Sequence, residues 1–366
     1  MTTELQALRE AAAALLDKRW PETRVRELMA TDTGHDEAGW RDMAEMGLLG
    51  LAIPAEFGGM GAGHTEMGVV MEEMGRVLLC APFLSTAVLA PALLTAIGDT
   101  TEQAQVLPRI AAGSAIVTLA YAEGSSALIP ERVGTHARRT DAGWALTGVK
   151  NFVLDGAAAD LIYVLAATDD GPAVFAVSRD ADGLTPTTLN TVDPTRKLCT
   201  VGLADTPARL VGEPGCGTTA FAAALETAGV ALVSEQAGGA QRAVRMAAAY
   251  AATRFQFARA IGSFQAVKHR CADMLAEAES AVSAARHVAA GFDAGAPDRA
   301  ADLALAQAFC SDAFVFVAAT NIQVHGGIGF TWEHPAHLYL RRARTDAQLL
   351  GDPAHHRERY LRLKGV

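Results

Sequence analysis

Residues 235–274 read EQAGGAQRAVRMAAAYAATRFQFARAIGSFQAVKHRCADM. Alanine and apolar residues recur at helical spacing on both sides of a break at ARAIGS, residues 258–263. The segment therefore predicts the end of one long helix, a short turn, and a new helix that Ser263 can cap. Arg254 and Gln265 then lie near the turn. A guanidinium fork suits a pyrophosphate, and a new helix N-terminus favours anions, so the turn is a candidate nucleotide site.

Phe257 belongs to the same candidate site, because its ring can cover a flat base or a ribose. The ordinary structural interpretation is an arginine on the surface and a phenylalanine in the core. If this motif stood alone, the structural interpretation would be favoured.

Further along the chain, QVHGG at residues 323–327 follows the helical segment LALAQAFCSDAFVFVAATNI. Two glycines at a helix C-terminus let the backbone turn and approach a ligand closely, although they also serve as a simple C-cap. The His-Gly-Gly oxyanion turn of lipases is a third possibility. That turn needs a preceding strand and a Gly-x-Ser-x-Gly elbow, and the sequence has neither.

The periodicity of apolar residues changes twice along the chain, from helical to β and back to helical. Residues 1–117 and 216–366 show apolar residues at three- and four-residue intervals, which predicts helices, and the second segment closes as a four-helix bundle. Residues 118–215 contain short β-branched or alternating runs separated by Gly, Asp and Pro, which predicts a small antiparallel β domain. We therefore expect an α+β protein of three domains with these bounds.

Composition excludes several classes of protein. The 366 residues are 50% hydrophobic and 20% charged, which is ordinary for a globular protein. The net charge of −10 disfavours nonspecific binding to nucleic acid or an anionic membrane. Five scattered cysteines lack a Cys-x-x-Cys pair, and the apolar runs look too short for a membrane span, so we expect a cytoplasmic protein with free thiols. The histidines do not form His-Glu-x-x-His, so no metal site is expected; they are His334, His337, His355 and His356.

Four stretches, in order, resemble the acyl-CoA dehydrogenase family from end to end. They are WRDMAEMGLLGLAIPAEFGGMGAG with the following MEEMGR, then GWALTGVKNFVLDGAAAD, then residues 235–274, and finally QVHGGIGFTWEHPAHLYLRRA. The resemblance implies FAD, a CoA thioester substrate, and a tetramer in which each flavin lies across a subunit interface. It also implies electron-transfer flavoprotein as the electron acceptor, and a place in β-oxidation or in lipid or steroid catabolism.

The resemblance implies cofactor contacts in two segments. The family uses the positions of Arg254, Phe257, Phe264 and Gln265 for the adenosine-diphosphate half of FAD, reached from the neighbouring subunit. The adenine end is contacted by the QVHGG segment, whose residues are Gln323, Val324, His325, Gly326 and Gly327.

The general base of the family is missing. The usual glutamate, which precedes a glycine, falls on Leu350 before Gly351. The glutamate that some members carry earlier falls on Ala228, and the adjacent arginine of the family falls on Gly229. Dehydrogenation requires a carboxylate within hydrogen-bond reach of the α-carbon, and neither side chain can accept a proton. The catalytic residue of this chain is therefore unknown.

Hydroxyls that contact the flavin ring in the family are missing as well. The Thr-Glu-Pro-Gly-Ala-Gly-Ser-Asp loop is replaced by AEGSSALI, residues 122–129, and the Trp-Ile-Thr strand by FVL, residues 152–154. The losses concern the isoalloxazine and acyl side of the site. The retained groups belong to the side that, in the family, contacts the FAD of the neighbouring subunit.

Three hypotheses remain open. The chain resembles the degenerate, base-less subunit of actinobacterial heterotetrameric acyl-CoA dehydrogenases, which completes a paralogous partner's FAD site. Alternatively, it is a homotetrameric enzyme with a displaced base, for which Asp346 lies one helical turn before Leu350. A surface pair with Arg342 is the more ordinary interpretation of Asp346. Glu226 and Asp352 flank the empty positions, but they point elsewhere on their helices or past the helix end. The third hypothesis is a nonenzymatic flavin or acyl-CoA binding protein.

Overall fold

A computed structural model describes residues 2–141 and 143–366. The chain divides into two compact units. The first contains the chain up to Val25, His64–Leu79 and Gly229–Val366, and the second contains Arg26–Gly63 and Cys80–Ala228.

Helices form most of the chain. They are α1 Thr3–Arg19, α2 Glu22–Met29, α3 Glu37–Glu45, α4 His64–Val77, α5 Ala90–Ile97, α6 Thr100–Ala111, α7 Gly217–Thr253, α8 Gln265–Asp293, α9 Arg299–His325, α10 Ala336–Leu349 and α11 Pro353–Lys364. A π-helical segment, Leu84–Leu89, precedes α5. Acidic side chains cap several N-termini; Asp36, for example, accepts a hydrogen bond from the Gly39 amide at 2.9 Å.

The core of the first unit lies where α7, α8 and α9 pack side by side. Small and β-branched residues fill it, and all of them are almost fully buried: Val230, Val233, Ala237, Ala281, Val282, Ala285, Val288, Ala289, Leu303, Ala306, Cys310 and Ala313. Two contacts show that α7 and α9 run parallel and keep the same register along their length. Gln236 meets Ser311 near one end and Tyr250 meets His325 near the other, with the same number of residues between them on both helices.

The crossing of α4 and α7 depends on glycine. A Cβ at Gly75 would collide with the Glu235 backbone oxygen, and a Cβ at Gly238 would collide with that of Glu72. The two helix backbones therefore approach more closely than any side chain at these positions would allow.

The second unit contains a seven-stranded sheet. Its strands are β1 Val117–Ala120, β2 His136–Thr140, β3 Gly143–Leu154, β4 Leu161–Thr168, β5 Gly171–Ser178, β6 Leu184–Thr188 and β7 Leu198–Val211. Pairings β4–β5, β5–β7, β7–β3, β3–β2 and β2–β4 close a ring, which leaves β1 and β6 as its attached edge strands. Strands β4 and β5 are buried on both faces along most of their length, and Tyr163, Val164, Phe175 and Val177 are all fully buried.

The order along the chain, with helices first, then the sheet and then helices again, confirms the expected fold class. One feature of the sheet differs from the expectation. The sheet is mixed rather than purely antiparallel, because β1 pairs in parallel with β4 from Val117↔Leu161 to Ala120↔Val164. The connection from β1 to β4 passes through β2 and β3, which is long enough for a parallel pairing.

The expectation that no segment has the length and composition of a membrane span is wrong for two helices. Within the described residues, Gly217–Thr253 and Arg299–Phe330 contain windows with mean hydropathy 1.2 and 1.6. In each window 61% of the residues are buried inside the protein, as in core helices. Their apolar faces are the ones that form the core of the first unit.

Candidate functional site

The link between α7 and α8 is a hairpin. Strands β8, Phe255–Gln256, and β9, Arg259–Ala260, pair antiparallel around the turn residues Phe257 and Ala258. Both turn residues have positive φ, at 53° and 63°, a conformation that two-residue hairpins usually fill with Asn-Gly. Non-glycine residues held in this region cost about 1 kcal/mol or more each and cluster at functional sites.

The strained turn presents aromatic surface. The Phe257 side chain is 87% exposed and meets the Phe264 ring edge-on at a centroid distance of 6.0 Å. The Arg259 guanidinium lies 3.9 Å from the Phe264 ring centroid, within cation–π range. Arg254 and Gln265 flank the hairpin and are both exposed. The sequence-predicted residues on this segment are therefore brought together as a surface that is open to a ligand.

Two details of the sequence prediction are corrected here. A hairpin and a 3₁₀ turn, Ile261–Ser263, replace the simple turn. Ser263 does not cap α8: its hydroxyl donates to the Ala260 carbonyl at 2.7 Å, and Phe264 occupies the N-cap position without a side-chain bond. The free amides at the start of α8 remain available to an anion.

The QVHGG segment ends α9 as predicted. Helix α9 stops at His325, and Gly326 follows with φ of 64°. A Cβ built at Gly326 or Gly327 would meet nothing within 4 Å, so the backbone there borders open space. Gln323 is exposed, whereas the side chains of Val324 and His325 are buried. These two residues are therefore accessible mainly through their backbone.

A stack of three rings joins the two segments. The His325 ring stacks on the Tyr250 ring at a centroid distance of 4.4 Å and contacts the His334 ring at 4.3 Å, with the two histidine rings tilted by 45°. Nδ1 of His325 donates to the Asn321 carbonyl at 2.8 Å, while burial lowers the pKa of His325 and favours the neutral ring. Because Tyr250 is one turn before Arg254, the stack holds the hairpin and the QVHGG turn at the same end of α7 and α9. Sequence reasoning missed Tyr250 and His334.

Both base positions are buried and apolar. Leu350 is 6% exposed and is the C-cap residue that follows α10, and Ala228 is fully buried within α7. At Gly229 a Cβ would lie 2.7 Å from Nε2 of Gln307. An amide from α9 thus occupies the space next to the position where the family has arginine.

Of the carboxylates near these positions, Asp352 caps a helix and Asp346 is buried in the interior. Asp352 accepts a hydrogen bond from the His355 amide at 2.8 Å and caps α11. Asp346 is 1% exposed, as is Arg342, so the interpretation of a surface pair is wrong. The Arg342 guanidinium bonds Glu235 and donates to the Leu79 carbonyl at 3.0 Å, which makes it part of the interior of the first unit.

In the second unit, Glu123 anchors the loop that replaces the family's flavin loop. Its carboxylate accepts bonds from Lys150 Nζ at 2.6 Å, the Gly134 amide at 2.7 Å, and the Thr135 amide and hydroxyl at 2.9 and 2.8 Å. Partial burial opposes ionisation, but these donors prevail and lower the pKa of Glu123 to about 2. The Lys150 side chain is fully buried, and its burial lowers the pKa of Lys150.

The positions of the missing hydroxyls are closed by apolar side chains. Ala122 is 2% exposed and Leu154 is 6% exposed. Asn151 ties β3 to the loop, since its amide donates to the Ala122 carbonyl at 2.9 Å and Nδ2 donates to the Gly124 carbonyl at 2.8 Å. The adjacent Phe152 has φ of 55° in a β-bulge. The loop is therefore held by the protein's own groups.

Among the residues described, no cluster of three or more His, Cys, Asp or Glu side chains has metal-binding geometry. The candidate site therefore consists of the hairpin, the QVHGG turn and the ring stack between them. Its exposed groups suit a nucleotide with a pyrophosphate.

Comparisons with known proteins agree with these features. Residues 2–114 match the acyl-CoA dehydrogenase N-terminal domain and residues 215–362 match the C-terminal domain. The chain is 37% identical to acyl-CoA dehydrogenase IpdE2 of Mycobacterium tuberculosis, covering 96% of this chain and 94% of that protein. It is similar to a chain of the ChsE4–ChsE5 complex of M. tuberculosis, with 30% identity, a TM-score of 0.90, and coverage of 100% and 98%. A steroid ACAD, Tcur3481–Tcur3483, matches with 30% identity, a TM-score of 0.86, and coverage of 99% and 98%.

Proposed function

The chain belongs to the acyl-CoA dehydrogenase family, and we propose that it serves FAD-dependent α,β-desaturation of an acyl-CoA thioester as the base-less subunit of a heterotetramer. One observation carries the proposal. Leu350 and Ala228, at the two base positions, are buried and apolar, whereas the groups suited to the nucleotide half of FAD are exposed.

The residues present fit the adenosine-diphosphate half of FAD. Arg254 and the free amides at the start of α8 would hold the pyrophosphate, with Gln265 beside them. Gln323 and the open backbone at Gly326 and Gly327 would receive the adenine end. FAD, when bound, supplies the hydride acceptor for the β-carbon of the thioester.

The proton that leaves the α-carbon requires an acceptor outside this chain. Neither Leu350 nor Ala228 can accept it, and Asp352 already caps α11. We infer that a glutamate of a paralogous partner subunit takes the proton. In this arrangement the present chain contributes cofactor binding and exclusion of water, and its partner contributes the acid–base chemistry.

The proposed partners follow from the same scheme. The ChsE4–ChsE5 complex, by its name, joins two different chains, and this chain resembles one of them over its full length. We extend that arrangement to this protein, with a lipid- or steroid-derived acyl-CoA as substrate and electron-transfer flavoprotein as acceptor. We place the enzyme in the cytoplasm.

Co-expression with a paralogous acyl-CoA dehydrogenase that retains its glutamate tests the proposal. The expected product contains equal numbers of the two chains and one FAD for every two chains, because only the partner's ring pocket is intact. A homotetramer of this chain with one FAD per chain and turnover of an acyl-CoA would contradict the proposal and favour a displaced base.

A further inference from the structure

The first unit contains a cavity that is separate from the candidate cofactor site. Its volume is about 170 Å³, and its walls come from α1, α4, α7 and α8. The lining residues are Leu5, Thr65, Gly68, Val69, Glu72, Ser234, Arg286 and Ala289. A cavity of about 150 Å³ accommodates a benzene molecule, so this one accommodates a six-membered ring with one small substituent.

Gly68 keeps this space open. Gly75, on the same helix, is required because a Cβ would collide with the Glu235 backbone oxygen. At Gly68 the nearest atoms to a Cβ would be the Ser234 hydroxyl oxygen at 3.1 Å and the Ala289 Cβ at 3.8 Å, so alanine would fit with a small adjustment. A glycine inside a helix is unfavourable relative to alanine, and the space beside Gly68 is partly open to solvent, since the Arg286 side chain on its wall is 49% exposed. Helix packing alone therefore does not explain Gly68.

The polar groups on the wall indicate a neutral ligand. Glu72, 2% exposed, accepts bonds from Arg286 Nε and Nη2 at 2.9 Å each and also pairs with Arg9. Arg9 also pairs with Glu73, which pairs in turn with Arg76, and Arg76 pairs with Asp17. Three guanidinium groups therefore balance three carboxylates. A charged ligand would disturb this balance.

One wall group remains able to receive a hydrogen bond from a ligand. Ser234 is 1% exposed, and its hydroxyl donates to the Val230 carbonyl at 3.1 Å. The oxygen keeps lone pairs that can accept a bond. The Thr65 hydroxyl is engaged with Asp293 at 2.5 Å. The remaining walls at Leu5, Val69 and Ala289 are hydrocarbon.

We propose that this cavity binds a small neutral alcohol with a ring-sized hydrocarbon body, such as a phenol or an alicyclic alcohol. The ligand hydroxyl donates to Ser234 Oγ. The ring contacts Leu5, Val69 and Ala289, next to the Arg286 guanidinium, which favours an aromatic face. This site does not depend on the proposed function, because it involves none of the cofactor residues.

Titration of the full chain with phenol, with benzene as the analogue that lacks the hydroxyl, tests the proposal by calorimetry and thermal shift. We expect saturable binding of phenol, several-fold tighter than benzene, since one neutral hydrogen bond separates them. Absence of saturable phenol binding by the wild-type chain would overturn the proposal.

Two variants locate the site. Gly68→Ala should weaken binding of both probes several-fold, because the added methyl group takes up part of the cavity, while the matched helical change Gly291→Ala, on α8, should leave it unchanged. Ser234→Ala should reduce phenol affinity to that of benzene without weakening benzene. Phenol binding that is unchanged in Gly68→Ala, or a preference for phenol that survives Ser234→Ala, would place the probe elsewhere. Flavin content of the assembled protein should be the same in all three variants.

Discussion

Replacement of Lys150 by methionine should loosen the loop at residues 122–129 without unfolding the sheet. Lys150 Nζ is buried and bonds Glu123 at 2.6 Å and the Tyr121 carbonyl at 3.3 Å. Removing one partner of a buried ion pair costs about 3–5 kcal/mol. In Lys150→Met, Glu123 keeps three other hydrogen bonds, and its side chain is 16% exposed. Burial of the Lys150 charge is itself unfavourable. We therefore expect the loss of local stability to be smaller here, about 2–3 kcal/mol.

Hydrogen exchange measures this loss locally. The Gly134 and Thr135 amides donate to Glu123, so peptides spanning residues 122–140 report directly on the anchor. A cost of about 2–3 kcal/mol corresponds to a decrease in protection of about 30- to 150-fold, at 1.36 kcal/mol per decade. Lys18→Met, at an exposed lysine of α1, is the matched control and should leave these peptides unchanged. Protection within twofold of wild type in Lys150→Met would refute the assigned role of the ion pair.

The same anchor should depend on pH in a defined window. The pKa of Glu123 is lowered from 4.5 to about 2 in the folded protein, so its ionised form stabilises the fold. This contribution is complete above pH 4.5 and is lost as the pH falls toward 2. Wild-type protection at Gly134 and Thr135 should therefore decrease across this window. Lys150→Met, which removes the principal donor, should lose its remaining protection closer to pH 4.5.

Four other substitutions have defined outcomes. Arg254→Ala or Gln323→Ala should lower the FAD affinity of the assembled complex, measured by fluorescence titration. The expected decrease is about 10- to 150-fold for the arginine, since loss of a charge-assisted hydrogen bond costs about 1.5–3 kcal/mol. Unchanged affinity in both variants would contradict the site assignment. Asp346→Asn should leave kcat and KM of the complex within about twofold, whereas loss of a positioned base would cost at least about 10²-fold. Gly75→Ala should destabilise the first unit by about 1–3 kcal/mol, measured by thermal unfolding, because its Cβ collides with the Glu235 backbone oxygen; a Tm equal to wild type would contradict the close crossing of α4 and α7.

Local patterns in the sequence predicted many elements of the fold. Continuous helical periodicity predicted α1, α4 and α9, and the alternating run GWALTGVKNFVL coincides with β3. Helix α6 lies within the segment predicted to be helical, although it contains Pro108. Strand β7 lies within the predicted β segment, but Gly, Asp and Pro interrupt its sequence, so its full length depends on pairing with β3, β5 and β6. Nonlocal pairing of this kind leaves little local signal.

The candidate site was predictable to the extent that it is carried by contiguous residues. Arg254, Gln265 and Gln323 are exposed next to the chain reversals that the motifs predicted, at the end of α7, the start of α8 and the end of α9. The ring stack of Tyr250, His325 and His334 could not be derived from spacing, because it requires α7 and α9 to lie parallel and in step. The burial of Asp346 was likewise not visible from its spacing to Arg342.

Anaerobic reduction of flavin is the most direct test of the claim that this chain lacks a general base. The purified chain, reconstituted with FAD, should show no bleaching of its visible flavin absorbance with any acyl-CoA. The complex with a glutamate-bearing partner should bleach, and replacement of the partner's glutamate by glutamine should abolish bleaching while FAD stays bound. Bleaching of the isolated chain, lost in Asp346→Asn, would contradict the account and identify Asp346 as a displaced base.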